Sequence, residues 1–409
     1  MNILFLSIGG LSNLGENAVY PDLLRYFRDN GHSVFIVCQR EKRTGLPTQL
    51  KTEYGMQVLR VQTGNITKVG FIEKGLSTLL IGSQFKRAIA KYLQDIKFDI
   101  VLYSTPPITV EETVKYIKKS NHVMTYLMLK DIFPQNALDI GVLSKTGVKG
   151  IIFKYFKMKE KQLYALSDFI GCMSEANVRF LRENNKYINS NKIEICPNTI
   201  NPLVDRDIDS EVLRDQFGLP KKKLIFVYGG NFGKPQNVDF IIEVLKRNSL
   251  YNDRHFVMCG SGTDFYKIKE YVCGSEVRNV TVIDTLDKQR YGQLLKACDV
   301  GLIFLDHRFT IPNFPSRLLD YMNLSMPVLA ATDRNTDVGD VIVEAKFGWW
   351  CESKNIEDYS RIVDYICKNP GELYQMGKNG RQYLEQHYST EIAYNQIINA
   401  YKRKKAGDL

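Results

Sequence analysis

The amino-acid sequence predicts an α/β protein with two domains, each built on a parallel β-sheet covered by helices on both faces. Its 409 residues, of which 44% are hydrophobic and 24% charged, suffice for about two domains that each bury a core. Short apolar runs of strand length alternate with longer helical patterns in both halves. The turn-rich segment 197–202 separates the two series and predicts a domain boundary near residue 200.

The expected strands are short and mostly apolar. In the first half they span residues 3–7, 33–38, 58–61, 100–103, 123–129, 169–173 and 193–196. In the second half they span residues 224–228, 255–258, 280–283, 300–304, 328–331 and 348–351. Strands that alternate with helical segments indicate parallel sheets, because a helix usually forms the crossover between parallel strands. Residues 389–405 are expected to form a last helix, since apolar residues recur at helical spacing after a Ser-Thr-Glu cap.

The formal charge of +10 indicates an anionic partner. Residues 68–91 and 149–161 alternate lysine or arginine with aromatic and aliphatic residues, a pattern that suits an anionic membrane surface. The same pattern fits a domain helix with a solvated basic face, so both interpretations stay open. Nucleic acid is favoured by the net charge alone and is not expected as a partner.

Other features of the sequence bear on location and cofactors. No apolar run approaches the roughly 18 residues of a spanning helix, and residues 1–10 indicate a buried strand rather than a signal peptide. The eight cysteines are scattered without a Cys-x-x-Cys pair, which indicates free thiols in a reducing cytoplasm. No Asp-x-Asp pair follows a predicted strand, so neither a divalent metal nor another cofactor is expected.

The most informative segment spans residues 309–331, which predict a loop, a helix and a buried strand. Ser316, Arg317 and the first amides of the helix suit a phosphate group, because those amides have no intrahelical partner. Asp320 lies one turn further on the same face, where a carboxylate suits ribose hydroxyls. The alternative is an ordinary capped helix with a solvated Asp320.

This segment resembles the C-terminal domain of the retaining glycosyltransferases of family 4, which have the GT-B fold. In that family a Gly-Phe-Pro-like turn precedes a helix with the sequence Glu-Ala-Met or Glu-Tyr-Met. The corresponding residues here are Asn313-Phe314-Pro315 and Asp320-Tyr321-Met322. The resemblance implies two Rossmann-like domains that face each other across a cleft. Residues 1–200 would form the acceptor-side domain, 201–388 the nucleotide-sugar domain, and 389–409 a crossing helix and tail.

The segment 227–239 resembles the strand and loop that open the donor domain of this family. Many relatives supply an arginine and a lysine there for the donor diphosphate, whereas this chain has Asn231 and Gln236 at the matching positions. Asn231 remains an expected donor contact. Lys234 and Arg317 are expected to supply the counter-charge that the diphosphate needs.

The remaining donor contacts are implied by the same resemblance. Pro312 replaces the first of two acidic residues of the family pattern, so the backbone amides of Asn313 and Phe314 are expected to contact the sugar. Further expected donor contacts are Gly260 and Ser261 in a Gly-x-Gly turn, Thr285 and Leu286 at the strand end that meets the nucleobase, and Pro315 with Ser316.

Two segments of the first half also match the family. The opening strand leads into Gly9 and Gly10, whose missing Cβ atoms allow the backbone to approach the donor, although a plain tight turn would need glycine too. Residues 129–136 resemble the Asp-x-Trp/Phe-Pro segment of O-antigen and capsule transferases. Asp131, at the end of a predicted strand, is the candidate contact for the acceptor hydroxyl or the donor sugar. The alternative is that it caps the following turn.

The resemblance therefore implies a retaining transfer of a sugar from a nucleotide diphosphate to a hydroxyl of a lipid-linked glycan, in the synthesis of O-antigen or capsule. Asp131, Arg317 and Lys234 are the expected catalytic residues, and no metal is required. The protein would be cytoplasmic and peripheral on the inner face of the cell membrane. Two alternatives stay open, a GT-B sugar-nucleotide epimerase and a non-catalytic nucleotide-binding scaffold.

Overall fold

The computed structural model describes residues 1–9, 11, 13–67, 69–106, 108–120, 122–203, 210–275 and 277–407. The chain folds into two compact units. The first unit comprises Met1–Asn201 and Ser389–Leu409, and the second comprises Pro202–Tyr388. Each unit has its own β-sheet and its own hydrophobic core.

Every strand expected from the sequence is present, with ends that differ by a few residues. The strands of the first unit are β1 (Asn2–Ser7), β2 (Ser33–Glu41), β3 (Gln49–Glu53), β4 (Met56–Thr63), β5 (Ile100–Ser104), β6 (Met124–Leu129), β7 (Phe169–Cys172) and β8 (Ile193–Ile195). Those of the second unit are β9 (Leu224–Asn231), β10 (Arg254–Ser261), β11 (Val280–Asp284), β12 (Val300–Phe304), β13 (Val328–Thr332) and β14 (Gly348–Glu352).

Helices connect most of the strands. Those of the first unit are α1 (Val19–Asp29), α2 (Phe71–Tyr92), α3 (Glu111–Ser120), α4 (Gln135–Asp139), α5 (Gly147–Leu166) and α6 (Glu175–Asn184). The second unit has α7 (Ser210–Gln216), α8 (Val238–Asn248), α9 (Phe265–Gly274), α10 (Lys288–Lys296), α11 (Arg317–Asn323), α12 (Val338–Glu344), α13 (Ile356–Lys368) and α14 (Leu373–His387). The last helix, α15 (Thr390–Ala406), belongs to the first unit.

The first sheet has the strand order β3-β4-β2-β1-β5-β6-β7-β8. Its strands are parallel except for β3, which pairs antiparallel with β4. Strand β3 was not expected from the sequence, because Gln49–Glu53 is mostly polar and largely exposed, as an edge strand can be. Tyr54 and Gly55 both have positive φ, at 48° and 72°, which gives the tight two-residue turn into β4.

The C-terminal helix α15 packs against α1 and completes the core of the first unit. Its buried stripe consists of Ala393, Ile397 and Ala400. Polar contacts fix the helix as well, since Tyr394 Oη lies 3.0 Å from His32 Nε2. The expected return of the last helix to the first domain is therefore confirmed.

The second sheet has the strand order β11-β10-β9-β12-β13-β14 and is parallel throughout. Its core is rich in aromatic side chains, among them Phe226, Tyr228, Phe304 and Tyr359. The strand order reverses between β9 and β12. In open parallel sheets ligands bind outside the carboxyl ends of the strands at such a reversal. The fold class predicted from the sequence, two Rossmann-like units with parallel sheets, is confirmed.

Candidate functional site

A cleft of about 560 Å³ lies in the second unit, at the carboxyl ends of β9 and β10. The residues that line it are Gly229, Gly230, Cys259, Gly260, Ser261, Thr285, Leu286, Lys288, Tyr291, Pro315, Ser316, Arg317 and Asp320. They come from the ends of three neighbouring strands and from the first turns of α10 and α11. The cleft therefore occupies the edge of the sheet where the topology predicts a ligand.

Glycines form the floor of this cleft because the strand ends approach one another closely. Gly260 has φ +151°, and a Cβ atom there would lie 1.9 Å from the carbonyl oxygen of Gly230. A Cβ atom on Gly229 would lie 2.1 Å from Tyr291 Oη. A side chain at Gly260 would displace the strand ends, and one at Gly229 would displace the Tyr291 ring, so the floor is left as exposed backbone that a ligand can approach.

Arg317, the first residue of α11, is held at the side of the cleft by two contacts. Its Nη1 donates a hydrogen bond of 2.8 Å to the carbonyl oxygen of Gly229. The guanidinium carbon lies 4.2 Å from the centroid of the Tyr228 ring, within the range of cation–π attraction. A guanidinium carries five N–H donors, so donors remain for an anion in the cleft. The arrangement suits a phosphate group.

Lys288 and Asp320 form an ion pair in the same cleft, with 2.8 Å between Nζ and Oδ1. Lys288 begins α10, whose start is fixed by the Asp287 side chain accepting a hydrogen bond of 2.8 Å from the backbone N–H of Arg290. Among the described lining residues the charged ones are Lys288, Arg317 and Asp320. The cleft thus has two cations for one carboxylate, a balance that favours an anionic ligand.

Most of the expected donor contacts lie in this cleft. The expected residues that line it are Gly260, Ser261, Thr285, Leu286, Pro315, Ser316, Arg317 and Asp320. Lys288 and Tyr291 were not expected. They follow a strand end by a few residues, and only their place in the folded chain brings them beside Asp320 and Gly229.

Four other expected donor contacts do not line the cleft. Asn231 uses its Nδ2 to donate a hydrogen bond of 2.8 Å to Gln236 Oε1, and Lys234 is exposed on the turn between them. Phe314 is buried against Tyr388, with 5.8 Å between the ring centroids. The backbone carbonyl of Asn313 accepts a hydrogen bond from Thr336 Oγ1. Their roles at the donor remain predictions.

Asp131 follows β6 in the first unit and is half-buried. Its Oδ1 accepts a hydrogen bond of 2.8 Å from Asn136 Nδ2, and its backbone N–H and C=O both bond the Thr105 hydroxyl. Burial raises the pKa of the Asp131 carboxyl to about 6, against the opposing hydrogen bond from Asn136. Burial also lowers the pKa of the adjacent Lys130 ammonium to about 8. Adjacent ionisable groups with shifted pKa values are common at functional sites.

The remaining expectations concern the glycine turn, metals and cysteines. Gly9 follows β1, and its carbonyl oxygen lies 3.3 Å from Ser7 Oγ, whereas Gly10 lies outside the described residues. Within the described part of the chain, no group of three or more His, Cys, Asp or Glu residues could hold a metal ion. The cysteines are free, and most are buried. No helix among the described residues is long and apolar enough to cross a membrane.

A glycine floor, an arginine and a lysine at the carboxyl ends of parallel strands are typical of Rossmann-like proteins that bind phosphorylated nucleotides. A family model described as "Glycosyl transferases group 1" matches residues 209–383, which is most of the second unit. The second unit therefore belongs to this family of glycosyltransferases, and the two Rossmann-like units have the fold of GT-B proteins.

Individual relatives are distant. The chain is 23% identical over 302 residues to the probable glycosyltransferase WbjE of Pseudomonas aeruginosa, and this match covers 72% of each chain. Among solved structures it is similar to sucrose-phosphate synthase from Thermosynechococcus elongatus, with a TM-score of 0.77, 15% identity and 99% of each chain covered. It is also similar to HepE of Anabaena in complex with UDP-glucose, with a TM-score of 0.71, 12% identity, and 98% and 99% of the chains covered. These structures support the fold.

Proposed function

We propose that this glycosyltransferase moves a sugar, with retention of configuration, from a nucleotide diphosphate to a hydroxyl of a lipid-linked glycan. The observation that supports the donor part is the cleft with Arg317 fixed between Gly229 and Tyr228 beside Asp320. Asp320 would accept hydrogen bonds from the ribose hydroxyls, and Arg317 would bind the diphosphate. UDP-sugars are the first candidates, because the similar HepE structure is a complex with UDP-glucose.

The chemistry requires stabilisation of a leaving diphosphate. In the transition state positive charge spreads over the sugar ring while negative charge develops on the departing phosphate oxygen. Arg317 lines the cleft and would neutralise that charge, while Lys234, the second cation expected from the sequence, lies on an exposed turn outside the cleft lining. The leaving phosphate itself would accept the proton of the acceptor hydroxyl. Because side-chain cations provide the charge, we propose that the donor binds without a metal ion.

Asp131 is the proposed contact for the acceptor hydroxyl or the donor sugar. Its half-buried carboxyl with a pKa near 6 can accept a hydrogen bond from a hydroxyl when ionised. The glycan acceptor is proposed to belong to a surface polysaccharide, because the segment around Asp131 resembles that of O-antigen and capsule transferases. Asp131→Asn should therefore slow transfer more than it weakens donor binding, and an equal loss of both would make the residue structural.

Thermal unfolding in the presence of nucleotides tests the donor site. The unmodified protein would be heated with UDP, GDP, ADP, CMP and their common sugar conjugates, with and without EDTA. A ligand at about 100 times its dissociation constant adds roughly 2.7 kcal/mol to the stability of the site it occupies. We expect one nucleotide family to stabilise the protein whether or not EDTA is present. No shift with any nucleotide would overturn the donor-site assignment.

The same assay can be applied to Arg317→Ala and a matched control. Arg361→Ala removes an exposed arginine of the second unit that pairs with Asp358 away from the cleft. We expect Arg317→Ala to lose most of the nucleotide-induced shift and Arg361→Ala to retain it. An unchanged shift in Arg317→Ala would remove this residue from the donor site.

We also propose that the first unit docks on an anionic membrane surface, as a peripheral protein on the cytoplasmic face. Helix α5 supports this, because Val148 and Ile151 are 75% and 70% exposed and lie beside the exposed Lys149 and Lys154. Exposed apolar side chains among cations can insert between anionic lipid headgroups, and each cation near the surface contributes about 1 kcal/mol. Exposed leucines of α2, Leu76, Leu79 and Leu80, form a second such surface.

Sedimentation with lipid vesicles tests this docking. The protein should bind vesicles of phosphatidylglycerol more strongly than vesicles of phosphatidylcholine, and added salt should weaken the binding. The double variant Val148→Ser/Ile151→Ser should lose most of the binding. Leu250→Ser is the control, because Leu250 is 92% exposed in the second unit. Equal binding of the double variant and the control would overturn the role of α5.

A further inference from the structure

We propose that Lys288 is the second donor-recognition cation of this chain and that its ammonium contacts the diphosphate of the bound nucleotide. The inference rests on the proposed nucleotide-sugar site and adds a residue to it. It explains how a diphosphate can be neutralised here although the loop after β9 has no cation in the cleft lining.

The loop after β9 is occupied by a neutral pair that is satisfied within the protein. Asn231 Nδ2 donates to Gln236 Oε1 at 2.8 Å, and the backbone N–H of Gly233 donates to the same oxygen at 3.2 Å. The pair therefore stabilises the loop instead of presenting charge. Lys234 is exposed and is not among the residues that line the cleft.

Lys288 lies where a second cation would be useful. It lines the same cleft as Arg317 but comes from a different helix, α10 instead of α11. A phosphate group between the two helices would meet one cation from each. The capped start of α10 fixes the position of the Lys288 backbone, and the four-carbon side chain lets the ammonium move toward the ligand.

The ion pair with Asp320 does not prevent this role. The side chains of Lys288 and Asp320 are 37% and 27% exposed, and ion pairs that are this accessible to water are weak. An ammonium has three donors, so Lys288 can keep one hydrogen bond to Asp320 while it binds a phosphate oxygen. Alternatively it would turn to the phosphate and leave Asp320 to the ribose hydroxyls.

The competing explanation is that Lys288 only orients Asp320 and is a positioning residue for the ribose. The two explanations differ in what the phosphates contribute. A phosphate contact affects the binding of a nucleoside diphosphate but not that of the nucleoside. An effect through Asp320 changes the binding of both ligands by the same factor, because both have the ribose.

Calorimetric titration of Lys288→Met with UDP and with uridine separates these two explanations. If the unmodified protein prefers guanine or adenine nucleotides, GDP with guanosine or ADP with adenosine takes the place of this pair. We expect the diphosphate affinity to fall about 10-fold or more, because a charge-assisted hydrogen bond is lost, and the nucleoside affinity to change less than about 2-fold. The salt dependence of diphosphate binding should also decrease, and Lys288→Arg should restore part of the affinity.

Lys269→Met is the matched control. Lys269 forms a comparable ion pair with Asp284, at 2.6 Å, on the surface of the second unit outside the cleft lining. We expect it to bind both ligands as the unmodified protein does. Equal losses of diphosphate and nucleoside affinity in Lys288→Met, or no loss at all, would overturn the proposed contact while leaving the donor site in place. Failure of the unmodified protein to bind any nucleotide would instead overturn the donor site itself.

Discussion

Replacing Asp131 with asparagine should stabilise the first unit at neutral pH. Burial raises the pKa of this carboxyl from the ordinary 3.8 to about 6, so the folded protein binds a proton more tightly than the unfolded chain does. Between these two values the stability falls as the pH rises, and above about pH 6 the full cost of the buried charge remains. The shift of about two units corresponds to at most about 3 kcal/mol.

Asparagine removes that cost without a large change of shape. Its side-chain oxygen can still accept the hydrogen bond that Asn136 donates to Asp131 Oδ1. The stability gain of Asp131→Asn should therefore be small near pH 4 and reach up to about 3 kcal/mol near pH 7. For a unit of this size the gain corresponds to an increase in melting temperature of about 6–12 °C at most.

Urea unfolding of both proteins at a series of pH values measures this gain directly. Asp139→Asn is the control, since Asp139 is a nearby carboxylate that accepts a hydrogen bond of 2.8 Å from Gln135, and it reports the effect of removing one negative charge from the segment. A gain that does not depend on pH, or a less stable Asp131→Asn at pH 7, would refute the argument from burial. A variant that is more stable yet transfers sugar more slowly would support a functional role for the carboxyl.

Three further predictions concern the second unit. Gly260→Ala should lower the free energy of unfolding by more than about 4 kcal/mol and abolish nucleotide binding, because its Cβ would lie 1.9 Å from the Gly230 oxygen. The control in thermal unfolding is Gly292→Ala in α10, whose Cβ would meet no atom within 4 Å and which should be neutral or stabilising by up to about 1 kcal/mol. Lowering the pH from about 7 to about 5 should destabilise this unit by about 2 kcal/mol in urea unfolding. Burial lowers the pKa of His255 to about 4, so the unfolded chain takes up a proton at a higher pH than the folded protein does. His255→Gln should remove most of this pH dependence. EDTA should leave the calorimetric affinity for the preferred nucleoside diphosphate unchanged, and a loss that Mg²⁺ restores would show that the donor needs a metal.

The fold could be predicted largely from the sequence because its strands are buried on both faces. Val328–Thr332, for example, is entirely apolar or small and fully buried, so its pattern is visible without a neighbour. The strand β3 was missed because it lies at the edge of the sheet, where one partner and exposure to solvent allow polar residues. Local pattern is informative only where burial constrains residue type.

For the site, the sequence by itself determined which lining residues lie together, where those residues belong to one short segment. Pro315, Ser316, Arg317 and Asp320 are adjacent in the chain, so one turn and one helix bring them to the cleft together. Contacts between distant segments were decided only by the tertiary structure. The chain order gives no indication that Lys288 pairs with Asp320, since their proximity depends on how α10 and α11 pack beside the sheet.

The neutral loop after β9 also shows the difference between what the sequence determines and what the tertiary structure decides. The sequence shows that Asn231 and Gln236 lack charge, but only the folded backbone shows that they hydrogen-bond to each other. Residue type and local periodicity are fixed by the chain, and they determined the two Rossmann-like units and the segments that end at their ligand edge. Which side chains meet at that edge depends on helix packing and strand register over long separations, and only the tertiary structure decides these.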